Sequence, residues 1–250
     1  MSHKPTKSPS AGRIALPPSQ GWWTTARESL LQLFYPRWCP VCHTLLPPNA
    51  SPLCLTCQGA LGRYHEHTIG ALDRLRGAQP MPRRILAPYL YARDDAMAQI
   101  VHDIKYHGNK PLARYMGRLM GTLLPLEQEQ IDYIIPVPLT PARALERGYN
   151  QATLLADGIS SVTGIPYLAH ALRRTRFQGS QTHRDRTHRL EAMLGSFTLG
   201  SEAIPPDSHI LLLDDVLTTG ATLTAALNAL ADIPLAQVSV GVLAVGTPTA

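Results

Sequence analysis

The stretch Ile210-Leu-Leu-Leu-Asp-Asp-Val-Leu-Thr-Thr-Gly-Ala-Thr222 decides the fold. Its unbroken apolar run, Ile210 to Leu213, opens a buried strand predicted over Ile210 to Val216, the habit of a parallel sheet lying between helices. That strand delivers Asp214 and Asp215 to its carboxyl end, where open α/β sheets place their ligands. Thr218, Thr219 and Gly220 then precede a helix predicted over 221–231, with Leu223, Leu227 and Leu230 on one face. Free amides, hydroxyls and the helix dipole favour a phosphate there, and Gly220 allows a close backbone approach. Carboxylates repel phosphate but accept hydrogen bonds from the vicinal hydroxyls of a ribose. Asp214, Asp215, Thr218, Thr219, Gly220, Ala221 and Thr222 therefore describe a ribose 5-phosphate site. The competing reading is a strand that ends in two solvated aspartates before a capped helix.

Outward from this strand, the pattern alternates. Ile85 to Ala92 predicts a strand, and Ala96 to Tyr106 and Leu112 to Leu124 predict helices parted by a breaker at Gly108 to Pro111. Tyr133 to Val137 is a short strand, Asn150 to Val162 a helix, Pro166 to Leu172 a strand and Val238 to Val245 a last strand. Such alternation predicts an α/β domain whose mostly parallel sheet is flanked by helices, assigned to residues 84–250. Residues 1–20, rich in Ser, Pro and Lys, read as a disordered tail. Residues 21–78 read as a short helix at Trp22 to Phe34 leading into a cysteine module, with the boundary in the Pro-rich stretch from Gly77 to Pro88.

All four cysteines lie in that module, as Cys39-Pro-Val-Cys42 and Cys54-Leu-Thr-Cys57. Two C-x-x-C pairs supply four thiolates, a closed tetrahedral shell for a structural Zn²⁺ with no open position for catalysis. The alternatives are four unligated thiols or a redox dithiol. Zinc would supply folding energy that so short and weakly apolar a segment lacks. No window is long and apolar enough for a membrane helix, and the N-terminus has no apolar run behind its basic residues. The expectation is a cytoplasmic protein with reduced cysteines and no membrane span.

The formal charge of +5 permits a polyanionic partner without requiring one. Residues 1–110 hold 13 Lys and Arg against 6 acids, so the excess lies in the N-terminal part. Farther on, six arginines fall between Arg173 and Arg189, with Asp185 the only acid among them. Beside a phosphate site such a segment can close over pyrophosphate and exclude water. Alone, it would equally suit a nucleic-acid backbone or be a solvated loop. Lys105 is either part of the site or a helix-end lysine favoured by the macrodipole.

The 210–222 string resembles the signature for phosphoribosyl pyrophosphate (PRPP) of type I phosphoribosyltransferases. The chain from Cys39 onward resembles the ComF family, also called GntX-like or competence protein F-like. Its cysteine pairs match the family's zinc-ribbon-like start. Ile104-Lys-Tyr-His-Gly108, Ile135-Pro-Val-Pro-Leu139, Arg147-Gly-Tyr-Asn-Gln151 and the Gln181, Arg186, Arg189, Phe197 spacing match further blocks. The chain departs in lacking later cysteine pairs and in carrying Ala192 where Asn is frequent.

This resemblance implies PRPP, or a nucleotide-like small molecule, as ligand, with Mg²⁺ beside it. Asp214 and Asp215 would hold the ribose hydroxyls and Thr218 to Thr222 the 5-phosphate, with Pro138 and Lys105 nearby. Arg147, Arg186 and Arg189 would face the leaving pyrophosphate. It also implies a role in competence and DNA uptake, with single-stranded DNA or a helicase-like protein as partner. A sensor that binds PRPP without turnover is the alternative to a transferase.

Overall fold

The computed structural model describes residues 36–65, 70–175 and 196–247. From Trp38 onward the described residues belong to one compact unit. The expected tail at 1–20, the helix at Trp22 to Phe34 and most of the arginine segment, including Arg186 and Arg189, lie outside the described residues.

The sheet is built on β6 (His209–Leu217) and β7 (Gln237–Gly246), which pair in parallel along most of their length. β3 (Tyr133–Pro136) joins β6 on one side, also in parallel. On the other side β1 (Ile85–Leu86) and β2 (Tyr89–Tyr91) both pair with β7 in parallel. They are one predicted strand interrupted at Pro88, which has no N–H to give to the ladder. Along β6 and β7 nearly every side chain is buried, as a sheet covered on both faces requires.

One face carries α2 (Ala96–Tyr106), α3 (Lys110–Leu123) and α5 (Gln151–Thr163) over Leu211, Leu213 and Leu243. The other carries α6 (Ala221–Asn228) and a 3₁₀ turn (Ala71–Leu75) over Ile210, Leu212, Val240 and Val242. Alternate residues of β6 thus feed opposite cores. The packing of α3 on α5 is close because glycines meet there. A Cβ at Gly117 would lie 2.3 Å from the Leu155 carbonyl oxygen, and one at Gly158 2.2 Å from that of Arg114.

Three expectations need correction. Lys110 and Pro111 belong to α3 and do not break it. Asn109 caps the helix by accepting the Leu112 amide at 3.1 Å, and proline is tolerated in a first turn, where its missing donor has no partner to lose. The strand expected over 166–172 is only an isolated parallel bridge, Tyr167 with Ile134. The chain then turns, and β4 (Leu172–Arg174) pairs antiparallel with β5 (Phe197–Leu199) in a separate two-stranded sheet. The last helix stops at Asn228, three residues short of its predicted end.

α4 (Pro141–Arg147) buries none of its residues, so its sequence carries no apolar periodicity. Its readable signal is the pair Thr140-Pro141: the Thr140 hydroxyl accepts the Arg143 amide at 3.4 Å, and proline opens the first turn.

The cysteine module is a knuckle. A Trp38–Leu45 bridge closes the first turn, where the Cys39 amide donates to the Thr44 carbonyl at 2.9 Å. α1 (Leu55–Gly59) starts from Cys54, whose sulfur accepts the Cys57 amide at 3.4 Å. Cys39, Leu46, Leu53, Cys57 and Leu61 share one apolar core with Met97, Ile100 and the residues beneath α3. No described helix is long and apolar enough to cross a membrane.

Candidate functional site

At the carboxyl ends of β3 and β6 lies a cleft of about 340 Å³. The sheet delivers Asp214 and Asp215, and the next turn delivers Thr218 and Thr222 to its wall. Thr219, Gly220 and Ala221 form the bend between those threonines. Gly220 has φ 83°, and α6 begins there without a side-chain cap, unlike every other described α-helix. Of its first amides, that of Ala221 donates to Thr219 Oγ1 at 3.5 Å, and the next ones are left for a ligand or solvent.

The bend is braced from below by a residue that the sequence reading overlooked. Arg74, in the 3₁₀ turn, donates to the Leu217 and Thr218 carbonyls at 3.3 and 2.8 Å and to the Gly246 carbonyl at 2.8 Å. One guanidinium thus ties together the carboxyl ends of β6 and β7. The turn also sits so close that a Cβ at Gly220 would lie 2.5 Å from the Arg74 carbonyl oxygen.

Four cations face the two carboxylates across the cleft: Lys105, Arg143, Arg147 and Arg174. Lys105 is not merely a helix-end lysine. Its ammonium lies 2.8 Å from Asp215 Oδ2, at ion-pair distance though outside aligned hydrogen-bond geometry. Asp214 is the more perturbed acid, its carboxyl pushed up to about 7. Burial is the main cause and the Asp215 charge the second, while the Asp215 amide, Lys105 and Arg174 pull the other way.

Arg174 is held below its ordinary value, chiefly by burial and then by Arg143, with Asp214 opposing. Its Nε is buried without a hydrogen-bond partner among the described residues. A half-buried guanidinium with a donor to spare suits an anion. Arg143 is marked by no local motif, and Arg174 is read from sequence only as one member of the arginine-rich segment. Their place in the cleft becomes visible only when α4 and β4 are seen to converge on the strand ends.

The segment from Arg147 to Gln151 fixes the opposite wall. Arg147 reaches the cleft, donates to Gln151 Oε1 at 2.7 Å and lies 5.5 Å from the Tyr106 ring centroid. The Tyr149 hydroxyl donates to the Ile104 carbonyl, locking this segment to α2. Asn150 donates to the Val137 carbonyl at 3.0 Å and also caps α5 by accepting the Ala152 amide. That bond holds the Val137-Pro138 turn against the cleft, where Pro138 lines the wall.

In the knuckle the four sulfurs lie within 4.8 Å of one another, and Cys42 and Cys54 are 3.7 Å apart. Tetrahedral zinc with bonds of about 2.3 Å would hold its sulfurs about 3.8 Å apart. All four thiols are free, so the cluster fits a metal such as zinc and not a disulfide. Hydrogen bonds with Thr44 lower the Cys42 thiol to about 6. Burial pushes Cys57 well up, and a bound cation would offset that cost by stabilising the thiolate.

Residues 146–247 match the phosphoribosyl transferase domain family. Competence protein F of Haemophilus influenzae is 27% identical over 195 residues, covering 77% of this chain and 84% of that protein. The DNA utilization protein YhgH of Escherichia coli K12 is 27% identical over 74% of this chain and 79% of its own. Competence protein ComFC of Bacillus subtilis is 24% identical over 74% and 68%. The chain is similar to the ComF family of competence and DNA utilization proteins along about three quarters of its length.

Its fold is accordingly of the phosphoribosyltransferase type, preceded by a cysteine knuckle. An adenine phosphoribosyltransferase from Leishmania tarentolae superposes at TM-score 0.35 and 13% identity, over 64% of this chain and 77% of that one, too loosely to add to the assignment. Of the ComF-type site residues expected from sequence, the structure brings Lys105, Pro138, Arg147, Asp214, Asp215, Thr218 and Thr222 to one cleft.

Proposed function

We propose that this chain binds PRPP, or a related ribose 5-phosphate ligand, in the cleft at the strand ends. The observation that carries this is the division of labour along one strand–loop–helix: carboxylates first, then uncapped helix amides, with four cations opposite. Asp214 and Asp215 accept the ribose hydroxyls, and the 218–222 bend receives the 5-phosphate. Arg143, Arg147 and Arg174 face the pyrophosphate, with Arg186 and Arg189 expected to join them from outside the described residues. The carboxylates of Asp214 and Asp215 are hard oxygen donors that suit Mg²⁺ shared with substrate oxygens. When bound, that ion supplies neutralising charge to the ligand.

In a transfer reaction the bond from the anomeric carbon to pyrophosphate breaks, a bond to an acceptor nitrogen forms, and the acceptor's proton leaves. The chain's part is positional and electrostatic: arginines stabilise the departing charge, and the carboxylates hold the sugar. The test is pyrophosphate release from PRPP across a panel of nucleobases and amines. Release that is abolished by Asp215→Ala supports a transferase. Saturable PRPP binding with no release from any acceptor replaces it with a sensor.

The names of the relatives favour a second role, in competence and DNA utilization, with single-stranded DNA or a helicase-like protein as partner. Free thiols at the knuckle suit a reducing compartment, and the cytoplasm is the proposed location. A salt-dependent affinity for single-stranded DNA that falls when Arg184, Arg186 and Arg189 are neutralised supports direct DNA contact. Unchanged affinity rules those arginines out.

A further inference from the structure

Of the four cations in the cleft, Lys105 is the only one that an acid already holds among the described residues. Its ammonium lies 2.8 Å from Asp215 Oδ2, with the lysine side chain 25% exposed and that of the aspartate 9%. That oxygen accepts no hydrogen bond from the described residues, so Lys105 is the one described cation at ion-pair distance to offset its charge. A carboxylate placed so deep needs a counter-ion at close range.

The lysine comes from a helix end that is tied down on both sides of it. The Tyr149 hydroxyl donates to the Ile104 carbonyl, and the His107 amide to the Asp103 carbonyl at 3.1 Å. The Asp103 carboxylate accepts the Asn109 side-chain amide at 2.6 Å, and Val101 and Ile104 are buried in the core. Lys105 therefore reaches Asp215 from fixed backbone, and only its side-chain torsions can carry it away.

A divalent cation on Asp215 would compete for the same place. Mg²⁺ binds oxygen at about 2.0–2.1 Å in a near-octahedral shell and sheds its water reluctantly. The ammonium, 2.8 Å from the same oxygen, would lie no more than about 5 Å from such an ion, where two positive charges repel strongly. Asp214 Oδ1 is likewise engaged, by the Asp215 amide at 2.8 Å. The acid pair suits a cation by its chemistry, and the chain supplies one of its own.

We infer that Lys105 is the resident counter-ion of the sugar subsite, doing for Asp215 what a metal ion would otherwise do, so that ribose 5-phosphate binds without any divalent cation. A need for Mg²⁺ then belongs to the pyrophosphate of PRPP and not to its sugar. Lys105 is a positioning residue, because it acts through the carboxylate that it neutralises. This inference rests on the sugar-phosphate reading of the cleft and adds the cation requirement of that site.

The test is calorimetry with ribose 5-phosphate on the full, zinc-loaded chain, in resin-treated buffer free of other divalent cations and free of soluble chelator, and again with Mg²⁺. Parent affinity should differ less than twofold between the two buffers. Lys105→Met, which keeps the apolar stem and removes the charge, should bind at least tenfold more weakly without Mg²⁺ and recover most of that loss with it. In titrations with Mg²⁺ alone, this variant should gain a saturable site that the parent lacks. Circular dichroism and zinc content check the fold, and Lys105→Gln serves if the methionine variant misfolds. A parent that needs Mg²⁺ to bind ribose 5-phosphate would overturn the inference and leave the sugar-phosphate reading standing. A loss in the folded variant that Mg²⁺ does not relieve would also overturn it, assigning Lys105 to ligand contact or packing alone. Failure of ribose 5-phosphate to bind the parent in either buffer would overturn both.

Discussion

With its carboxyl pushed up to about 7, Asp214 keeps its proton well above the ordinary carboxylate range, a condition set by burial and by the neighbouring Asp215 charge. The sign follows from proton uptake. The folded chain holds this proton over a pH range where the unfolded chain, with an ordinary carboxylate, has released it. Stability therefore falls as pH rises from about 4 to about 7 and stays at its lower level above. Asp214→Asn should raise the melting temperature relative to the parent at pH 8, with a gap that narrows towards pH 5. The gain should be about 2 kcal/mol, below the full shift because the side chain keeps some solvent contact. Affinity for a ribose 5-phosphate ligand should weaken as the parent is acidified through about pH 7, since the protonated acid accepts fewer hydroxyls. Thermal melts and titrations over that range check both.

Gly220 is the second residue on which the cleft depends. Its φ of 83° and the 2.5 Å approach to the Arg74 carbonyl leave no room for a side chain. Gly220→Ala should cost about 2–4 kcal/mol and displace the 218–222 bend, since the obstructing atom is backbone and cannot swing aside. A chemical denaturation series reads the stability. An alanine variant as stable as the parent would show that the turn below the bend yields freely.

At the scale of elements, the knuckle and the sheet depend on each other. Cys39 and Cys57 are buried in the same apolar core as Met97 and Ile100 of α2, so metal ligation and helix packing share their neighbours. Chelation should release close to one zinc per chain. Its effect should spread beyond residues 38–61, lowering hydrogen-exchange protection along α2 as well. Cys39→Ser should reproduce this and reduce solubility. A metal-free chain with unchanged exchange would contradict the shared core.

What the sequence made legible follows from what each element buries. β6 and α2 are readable because apolar runs and periodic faces leave a mark in one dimension, and the two cysteine pairs because their spacing is the chemistry. α4 buries nothing, and only Thr140-Pro141 announces it. Of the strand expected at 166–172 only Tyr167 pairs before the chain turns into β4. Arg74 acts through contacts with residues far away in sequence, and no local pattern records such contacts.

For the molecule as a whole, the parallel sheet does one thing for function: it brings the carboxyl ends of β3 and β6 together at one edge. Around that edge α2 contributes Lys105 and Tyr106, α4 contributes Arg143 and Arg147, and β4 contributes Arg174. The cleft is thus assembled from segments spread over more than a hundred residues. Its balance of four cations against two carboxylates suits a ligand with several negative charges and a diol. A second depression beside the cysteine knuckle shares Tyr91, Val101, Lys105 and Tyr106 with the cleft as lining.

The most direct test is calorimetric titration of the zinc-loaded chain with PRPP in the presence of Mg²⁺. One saturable site per chain is predicted, with affinity reduced at least tenfold by Asp215→Asn and by Arg147→Ala, and with both variants still folded by circular dichroism. No saturable heat of PRPP binding to the folded parent, or binding unchanged in both variants, would contradict the account.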